Sequence, residues 1–332
     1  MKKHTFTGKA SIVGLGYYVP PKVVTNHDME KIVDTTDEWI TTRTGIKERR
    51  IAEADIASSD LGKEAAMRAI KDAGITPEDI DLIIVATISP DMVFPSTACV
   101  LQEKIGAKNA SAFDINAACS GFPYALTVAS QFVVTGFYKY VLIVAAEALT
   151  HLVDWQDRST CVLFGDGAGA AVVTNCNDGD GLYASYIGSD GGCVDLLKMP
   201  AGGSALPATH QTVDERLHYL KMAGNEVFKI AVRTMEKAAR EAIAMAGLKV
   251  SDVDCLVPHQ ANMRIIKAVC DRLEIPMEKV FVNVNRYGNM SGASTIVALC
   301  EAVEQGVIKK GSVVVIAAFG AGFTWGANLI KW

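Results

Sequence analysis

Ala66-Met67-Arg68-Ala69-Ile70-Lys71-Asp72-Ala73-Gly74-Ile75-Thr76-Pro77-Glu78-Asp79-Ile80-Asp81 returns later in the chain as Ala239-Arg240-Glu241-Ala242-Ile243-Ala244-Met245-Ala246-Gly247-Leu248-Lys249-Val250-Ser251-Asp252-Val253-Asp254. Seven of the sixteen positions are identical at a constant offset of 173, and Ile75/Leu248 and Ile80/Val253 are conservative exchanges. Each copy reads as a helix closed by glycine (Gly74, Gly247), a short acidic loop, and then a buried strand. The offset holds downstream, where 138–146 matches 311–319. Between these, Cys119-Ser120-Gly121 aligns with Met290-Ser291-Gly292 at an offset of 171. So long a period over most of the chain marks two copies of one unit.

Inside the first copy, strands are predicted at 10–14, 82–85, 112–115, 141–144 and 170–173, alternating with helical patterns. Their unbroken apolar runs predict strands covered on both faces, hence layered α/β units packed helix layer to helix layer. The turn-rich stretch Asn175-Cys176-Asn177-Asp178-Gly179-Asp180-Gly181 sets the expected boundary, with one half at 1–175 and the other at 176–332. Residues 199–207 read as a surface excursion.

Half of the 332 residues are hydrophobic and 21% are charged, a globular composition with ample core. The net charge of −5 offers no global attraction to nucleic acid or to an anionic membrane. No run approaches the roughly eighteen apolar residues of a membrane span, and Met1-Lys2-Lys3-His4-Thr5 leads into no signal-peptide core. Eight cysteines without CxxC spacing, mostly inside apolar segments, read as reduced thiols of a cytoplasmic protein without structural zinc.

Three polar residues fall where predicted strands end, the place where α/β sheets bind ligands. Cys119 follows the strand at 112–115 in Asn116-Ala117-Ala118-Cys119-Ser120-Gly121, where small neighbours admit a substrate and a new helix begins. The positive end of that helix is expected to favour the thiolate. His259 leaves a strand in Val257-Pro258-His259-Gln260, and Asn289 lies in Tyr287-Gly288-Asn289-Met290-Ser291-Gly292. In the repeat frame His259 corresponds to Ala86 and Asn289 to the neighbourhood of Cys119, so a pseudo-twofold brings all three together. Alone, each has a plainer role: a buried small hydrophobe, a core histidine, a turn residue. Together they point to thioester chemistry.

Gly165-Asp166-Gly167-Ala168-Gly169 precedes a strand and not a helix, so it reads as a tight turn and not as a dinucleotide fingerprint. Phe319-Gly320-Ala321-Gly322-Phe323 follows a strand and offers backbone N–H groups to a developing oxyanion within a hairpin. Arg264, Lys267 and Arg272 share a helix face, which is either merely solvated or, beside the candidate site, a dock for a phosphate or an acidic protein. Trp39 and Arg43 stand at helical spacing, suited to stack on and pair with a nucleotide or simply to cap the domain.

In combination, these Cys119, His259 and Asn289 motifs and Glu38-Trp39-Ile40-Thr41-Thr42-Arg43-Thr44-Gly45-Ile46 resemble β-ketoacyl-acyl-carrier-protein synthase III nearly end to end. The resemblance implies the thiolase fold, two similar halves forming a five-layered αβαβα sandwich, in a homodimer. It implies an initiating decarboxylative Claisen condensation of an acyl-CoA, acetyl or short branched, with malonyl-acyl-carrier protein. Cys119 would take the acyl group, His259 and Asn289 would stabilise the enolate, and the N–H groups of Cys119 and Ala321 would form the oxyanion hole. By the same resemblance Trp39, Arg43, Arg158, Asn225, Ala261 and Arg264 would bind CoA. Lys229, Arg264 and Arg272 would dock the carrier protein, and Phe94 would shape the acyl pocket from across the dimer. No cofactor beyond the CoA thioester substrate is implied. Two positions depart from the family pattern: Ala321 in what is usually a triple-glycine turn, and Asp271 where a basic residue can occur.

Rival readings are a thiolase, a polyketide-type condensing enzyme, a papain-like hydrolase and a non-catalytic acyl-CoA-binding protein. A thiolase would want a second cysteine near the C-terminus, where Phe319-Gly320-Ala321-Gly322 stands instead. The duplicated halves count against the hydrolase, although it shares the order Cys, His, Asn.

Overall fold

The computed structural model describes residues 10–176 and 179–332. The first residues and positions 177 and 178 of the boundary stretch lie outside the described residues. The first half runs β1 (Ala10–Tyr18), α1 (Asp37–Thr44), α2 (Ser58–Asp72), β2 (Leu82–Ala86), α3 (Thr97–Ile105), β3 (Ser111–Ile115), α4 (Gly121–Val134), β4 (Tyr140–Glu147) and β5 (Gly167–Asn175). The second runs β6 (Gly181–Ser189), α5 (Gly224–Met245), β7 (Cys255–Pro258), α6 (Met263–Leu273), α7 (Gly292–Glu304), β8 (Val313–Gly320) and β9 (Thr324–Lys331). All five predicted strands of the first half are present, most of them longer than the apolar run that announced them.

The duplication is visible in the sheets. One has the order β1-β5-β4-β2-β3 and the other β6-β9-β8-β7. Both open with two antiparallel pairings and continue with a parallel one. The counterpart of β3 shrinks to a single parallel bridge, Leu256 to Val280. Helices α2 and α3 cover the outer face of the first sheet, α4 and α7 lie between the sheets, and α5 with α6 covers the second. This is the five-layered αβαβα sandwich, a thiolase-like fold. Strand β2 is buried at every position, as a strand with helices on both faces must be.

The identical residues of the repeat perform identical tasks. Gly74 and Gly247 end their helices in the left-handed region, at φ 68° and 73°. The Asp79 carboxylate accepts the Thr76 N–H at 2.8 Å, and Asp252 accepts the Lys249 N–H at 2.8 Å, each closing a one-turn 3-10 helix. Asp81 accepts the backbone N–H of Lys139 and Tyr140, tying the entry of β2 to that of β4. Asp254 accepts the Val313 N–H at 2.9 Å and ties β7 to β8 in the same way. The repeat therefore preserves the hydrogen bonds that align the two parallel strands whose far ends carry the site.

Candidate active site

Cys119 sits in a 3-10 turn (Ala118–Ser120) that runs directly into α4. The turn is entered through Ala118 at φ 47°, a left-handed conformation that costs a non-glycine residue about 1–3 kcal/mol. It is braced from the other half of the molecule. The Thr324 hydroxyl lies 2.8 Å from the Ala117 carbonyl and 2.6 Å from the Ser120 hydroxyl. Gly320 lies so close that a Cβ there would stand 2.6 Å from the Cys119 nitrogen. The hairpin between β8 and β9 therefore presses its glycine-rich turn against Cys119, and only glycine fits at 320.

His259 follows β7 and is buried, with its backbone N–H donating to the Ala317 carbonyl at 2.7 Å. Its neighbours explain their own presence. The Gln260 amide donates to the Pro258 carbonyl and accepts from the Asn283 N–H, pinning the turn. Asn262 caps α6 by accepting the Ile265 N–H at 2.9 Å. Burial holds His259 down at about 3, so the ring is neutral. Its Nδ1 is buried without a partner. A lone pair tolerates that better than an N–H, which favours the tautomer protonated at Nε2.

Asn289 is held by Leu163 and Gly165: its N–H donates to the Leu163 carbonyl at 2.8 Å, and its carbonyl accepts from Gly165 at 3.1 Å. The Gly165 turn thus serves to receive the Asn289 loop. The Ser291 N–H donates to Asn289 Oδ1 at 2.8 Å, which orients the amide and leaves its Nδ2 for another partner.

These three turns meet at one cavity of about 930 Å³. Cys119, His259 and Asn289 line it at 8%, 2% and 8% exposure, and the buried Ser291 and Thr44 line it with them. Gly320 and Ala321 line it beside them, and Trp39, Arg43, Asn225, Lys229, Ala261 and Arg264 line it as well. Trp39 is flanked by two guanidinium groups, Arg43 at 4.7 Å and Arg158 at 4.9 Å from its ring centroid. Three of the expected residues stand elsewhere. Arg158 reaches the site only through Trp39, and Arg272 sits at the far end of α6. Phe94 is 82% exposed and outside the cavity lining.

The expected thiolate is not the resting state. Burial pushes the Cys119 thiol up to about 12. A displacement of that size corresponds to about 4 kcal/mol, more than the roughly 0.3–2 kcal/mol a helix terminus supplies. The free site therefore holds a neutral thiol, and desolvation outweighs the dipole.

Two residues of this region escape the motif reading. Glu147, the last residue of β4, is fully buried, and burial pushes its carboxyl up to about 7. It accepts hydrogen bonds from Ser89 Oγ at 2.6 Å, Thr87 Oγ1 at 3.2 Å and the Ile88 N–H. Ser291 lies just before α7, fully buried at φ 46°. The signals were a lone charge closing the apolar run 141–146 and a serine aligned with Ser120 in the repeat.

Residues 113–191 match the family profile described as 3-Oxoacyl-[acyl-carrier-protein (ACP)] synthase III, and 243–332 match its C-terminal profile. The chain is 55% identical to the Beta-ketoacyl-[acyl-carrier-protein] synthase III of Caldanaerobacter subterraneus subsp. tengcongensis, over 97% of this chain and 98% of the relative. It is 56% identical to the Clostridioides difficile protein of the same name, over 98% of both chains. Among solved structures it resembles 3-oxoacyl-[acyl-carrier-protein] synthase III from Aquifex aeolicus, with a TM-score of 0.90, 49% identity, and coverage of 97% of this chain and 100% of that one.

Proposed function

Because the chain belongs to the β-ketoacyl-[acyl-carrier-protein] synthase III family, we propose that Cys119 carries the acyl group in its reaction and that His259 with Asn289 generates the carbon nucleophile. The enzyme is an acyltransferase that condenses an acyl-CoA with malonyl-acyl-carrier protein, the initiating step of fatty acid synthesis. One observation carries the division of roles: three polar side chains from separate turns line one cavity that also contains Trp39 and Arg43.

In the first half-reaction the Cys119 sulfur attacks the thioester carbonyl, and CoA leaves. The N–H groups of Cys119 and Ala321 take the oxyanion; the tight fit of Gly320 against Cys119 supports this pairing. Malonyl-acyl-carrier protein then places its thioester oxygen between His259 Nε2–H and Asn289 Nδ2. The carboxylate departs as carbon dioxide, its electron pair forms the enolate, and the enolate attacks the acyl carbon. Neutral His259 suits a hydrogen-bond donor to that oxygen and not a general base. Trp39, Arg43 and Arg158 hold the nucleotide end of CoA, while Asn225, Ala261 and Arg264 line the path of its pantetheine arm.

The carrier protein docks on the exposed cations Lys229 of α5 and Arg264 and Arg272 of α6, two helices that pack side by side. The assembly is a homodimer. Val93 and Phe94, 86% and 82% exposed, call for an apolar partner, and β3 leaves the edge of the first sheet open. The partner's copy of Phe94 then closes the acyl end of the cavity. Reduced buried thiols at Cys161, Cys255, Cys270 and Cys300 agree with a cytoplasmic setting.

Labelled acetyl-CoA tests the proposal. An adduct on Cys119 is expected, followed by carbon dioxide and a 3-oxoacyl product when malonyl-acyl-carrier protein is added. Asn289→Ala should slow decarboxylation by roughly 10²–10³-fold and acylation far less. Condensation by Cys119→Ala, or equal loss of both steps in Asn289→Ala, would overturn the assignment.

A further inference from the structure

A glutamate closes the apolar strand β4 in the repeat frame position of Gly320. Glu147 has no exposure to solvent, and a salt bridge does not account for it: its partners are the Ser89 and Thr87 hydroxyls and the Ile88 N–H. Ser58 of α2 supports the same cluster, donating to the Ser89 carbonyl at 2.6 Å. From α7, a Cβ on Gly292 would stand 3.4 Å from the Ala118 carbonyl and 3.9 Å from Glu147 Oε1. The Ser291–Gly292 link therefore lies between the turn of Cys119 and the carboxyl group. The Ser291 hydroxyl is near enough to lower the proton affinity of both Cys119 and Glu147. It is nevertheless buried without a hydrogen bond of ordinary geometry. The titratable neighbour across it is Cys119; the other groups around the carboxyl are neutral.

Ser291 is also strained. At φ 46° and ψ −127° glycine would be relaxed, and a side chain is held there at about 1–3 kcal/mol. A strained serine with an unsatisfied buried hydroxyl, set between a thiol and a carboxyl, is a bridge awaiting a proton.

Building on the assignment of Cys119 as the nucleophile, we propose that Ser291 and Glu147 form a proton relay that takes the Cys119 proton during acylation and returns it after condensation. As the sulfur–carbonyl carbon bond forms, the thiol proton passes to Ser291 Oγ while the Ser291 proton passes to the Glu147 carboxylate. CoA leaves as its thiolate and takes a proton from solvent. The acyl-enzyme thus stores one proton on Glu147. When the enolate attacks, the sulfur–acyl bond breaks, and the Cys119 thiolate recovers that proton through Ser291. The carboxyl affinity near 7 suits a group that must both accept and return a proton at neutral pH. Glu147 acts through Ser291 and is a positioning and proton-storing residue without substrate contact.

Single-turnover acetylation of Cys119 by labelled acetyl-CoA, followed on both sides of about pH 7, tests the relay. In wild type the rate should fall as pH drops through about 7, where Glu147 arrives already protonated. Glu147→Gln keeps an acceptor but stores no proton; acetylation should slow by about 10²-fold or more, and the inflection should vanish. Ser291→Gly relieves the strained backbone, so it should melt no lower than wild type yet acetylate as slowly as Glu147→Gln. A third measurement needs no variant: the infrared difference between acetylated and free wild type should show a newly protonated carboxylic acid. Wild-type rates and pH profile in both variants, or no new carboxylic acid signal, would overturn the relay and leave the Cys119 assignment intact. No adduct on wild-type Cys119 would overturn both.

Discussion

His259 shows how a single side chain can be chemically defined by burial alone. A free imidazole binds its proton at 6.5, whereas burial holds this one down at about 3. Between those values the unfolded chain carries a proton that the folded protein refuses. Stability therefore rises with pH across that window, by up to about 1.4 kcal/mol per pH unit, and the loss is fully removed above about 6.5. Glu147 has the opposite sign: raised from 4.5 to about 7, it binds its proton first in the folded state and draws stability down as pH rises through that range. Urea unfolding at a series of pH values should show a flatter acid limb in His259→Gln than in wild type; parallel curves would count against a neutral buried ring. Cys119 carries the same lesson. Its position at a helix start is plain in the sequence, but its protonation follows from enclosure, which no local motif expresses.

At the scale of elements, short motifs prove to be joints between segments. Gln260 and Asn262 fasten the turn that presents His259, and Gly165 receives the loop of Asn289. Thr36 caps α1 by accepting the Trp39 N–H at 3.1 Å, which sets the indole between Arg43 and Arg158. Adenine stacking on an aromatic face is worth about 1–3 kcal/mol. Trp39→Ala should therefore raise the KM for acyl-CoA roughly 5- to 150-fold, leaving kcat for a saturated enzyme near wild type. Steady-state kinetics varying acyl-CoA alone checks this, and an unchanged KM would place the nucleotide elsewhere. The pairing of Trp39 with Arg43 is legible from their spacing along one helix. Arg158 comes from a segment more than a hundred residues away, so periodicity does not connect the two.

Across the whole molecule, two copies of one unit have been given different work. The first supplies the turn of Cys119 and the second supplies His259 and Asn289, while the paired aspartates Asp81 and Asp254 keep both frames alike. The same asymmetry leaves a long β3 on one sheet edge and only a bridge at its counterpart. That edge, with the exposed Met92, Val93 and Phe94, makes a testable demand on assembly. Wild type should sediment as a dimer, and Phe94→Asp should shift it toward monomer, since a carboxylate would be buried without a partner. A wild-type monomer at micromolar concentration would contradict the dimer.

The duplication, the alternation of strands and helices in the first half, and the strand-end positions of Cys119 and His259 were determined by the sequence alone. Asn289, expected at a strand end as well, instead follows the short helix Val284–Tyr287, because the second half keeps only a bridge where the first has β3. Hydrophobic runs, helix-ending glycines and identical aspartates are local properties that survive translation into structure. Tertiary structure decided what depends on neighbours remote in the chain. It pressed Gly320 against the Cys119 nitrogen, kept the thiol neutral, and brought Gly292 beside both the Ala118 carbonyl and the Glu147 carboxyl. The physical reason is that packing distance and desolvation belong to a place in space, and that place exists only once both halves have closed on it.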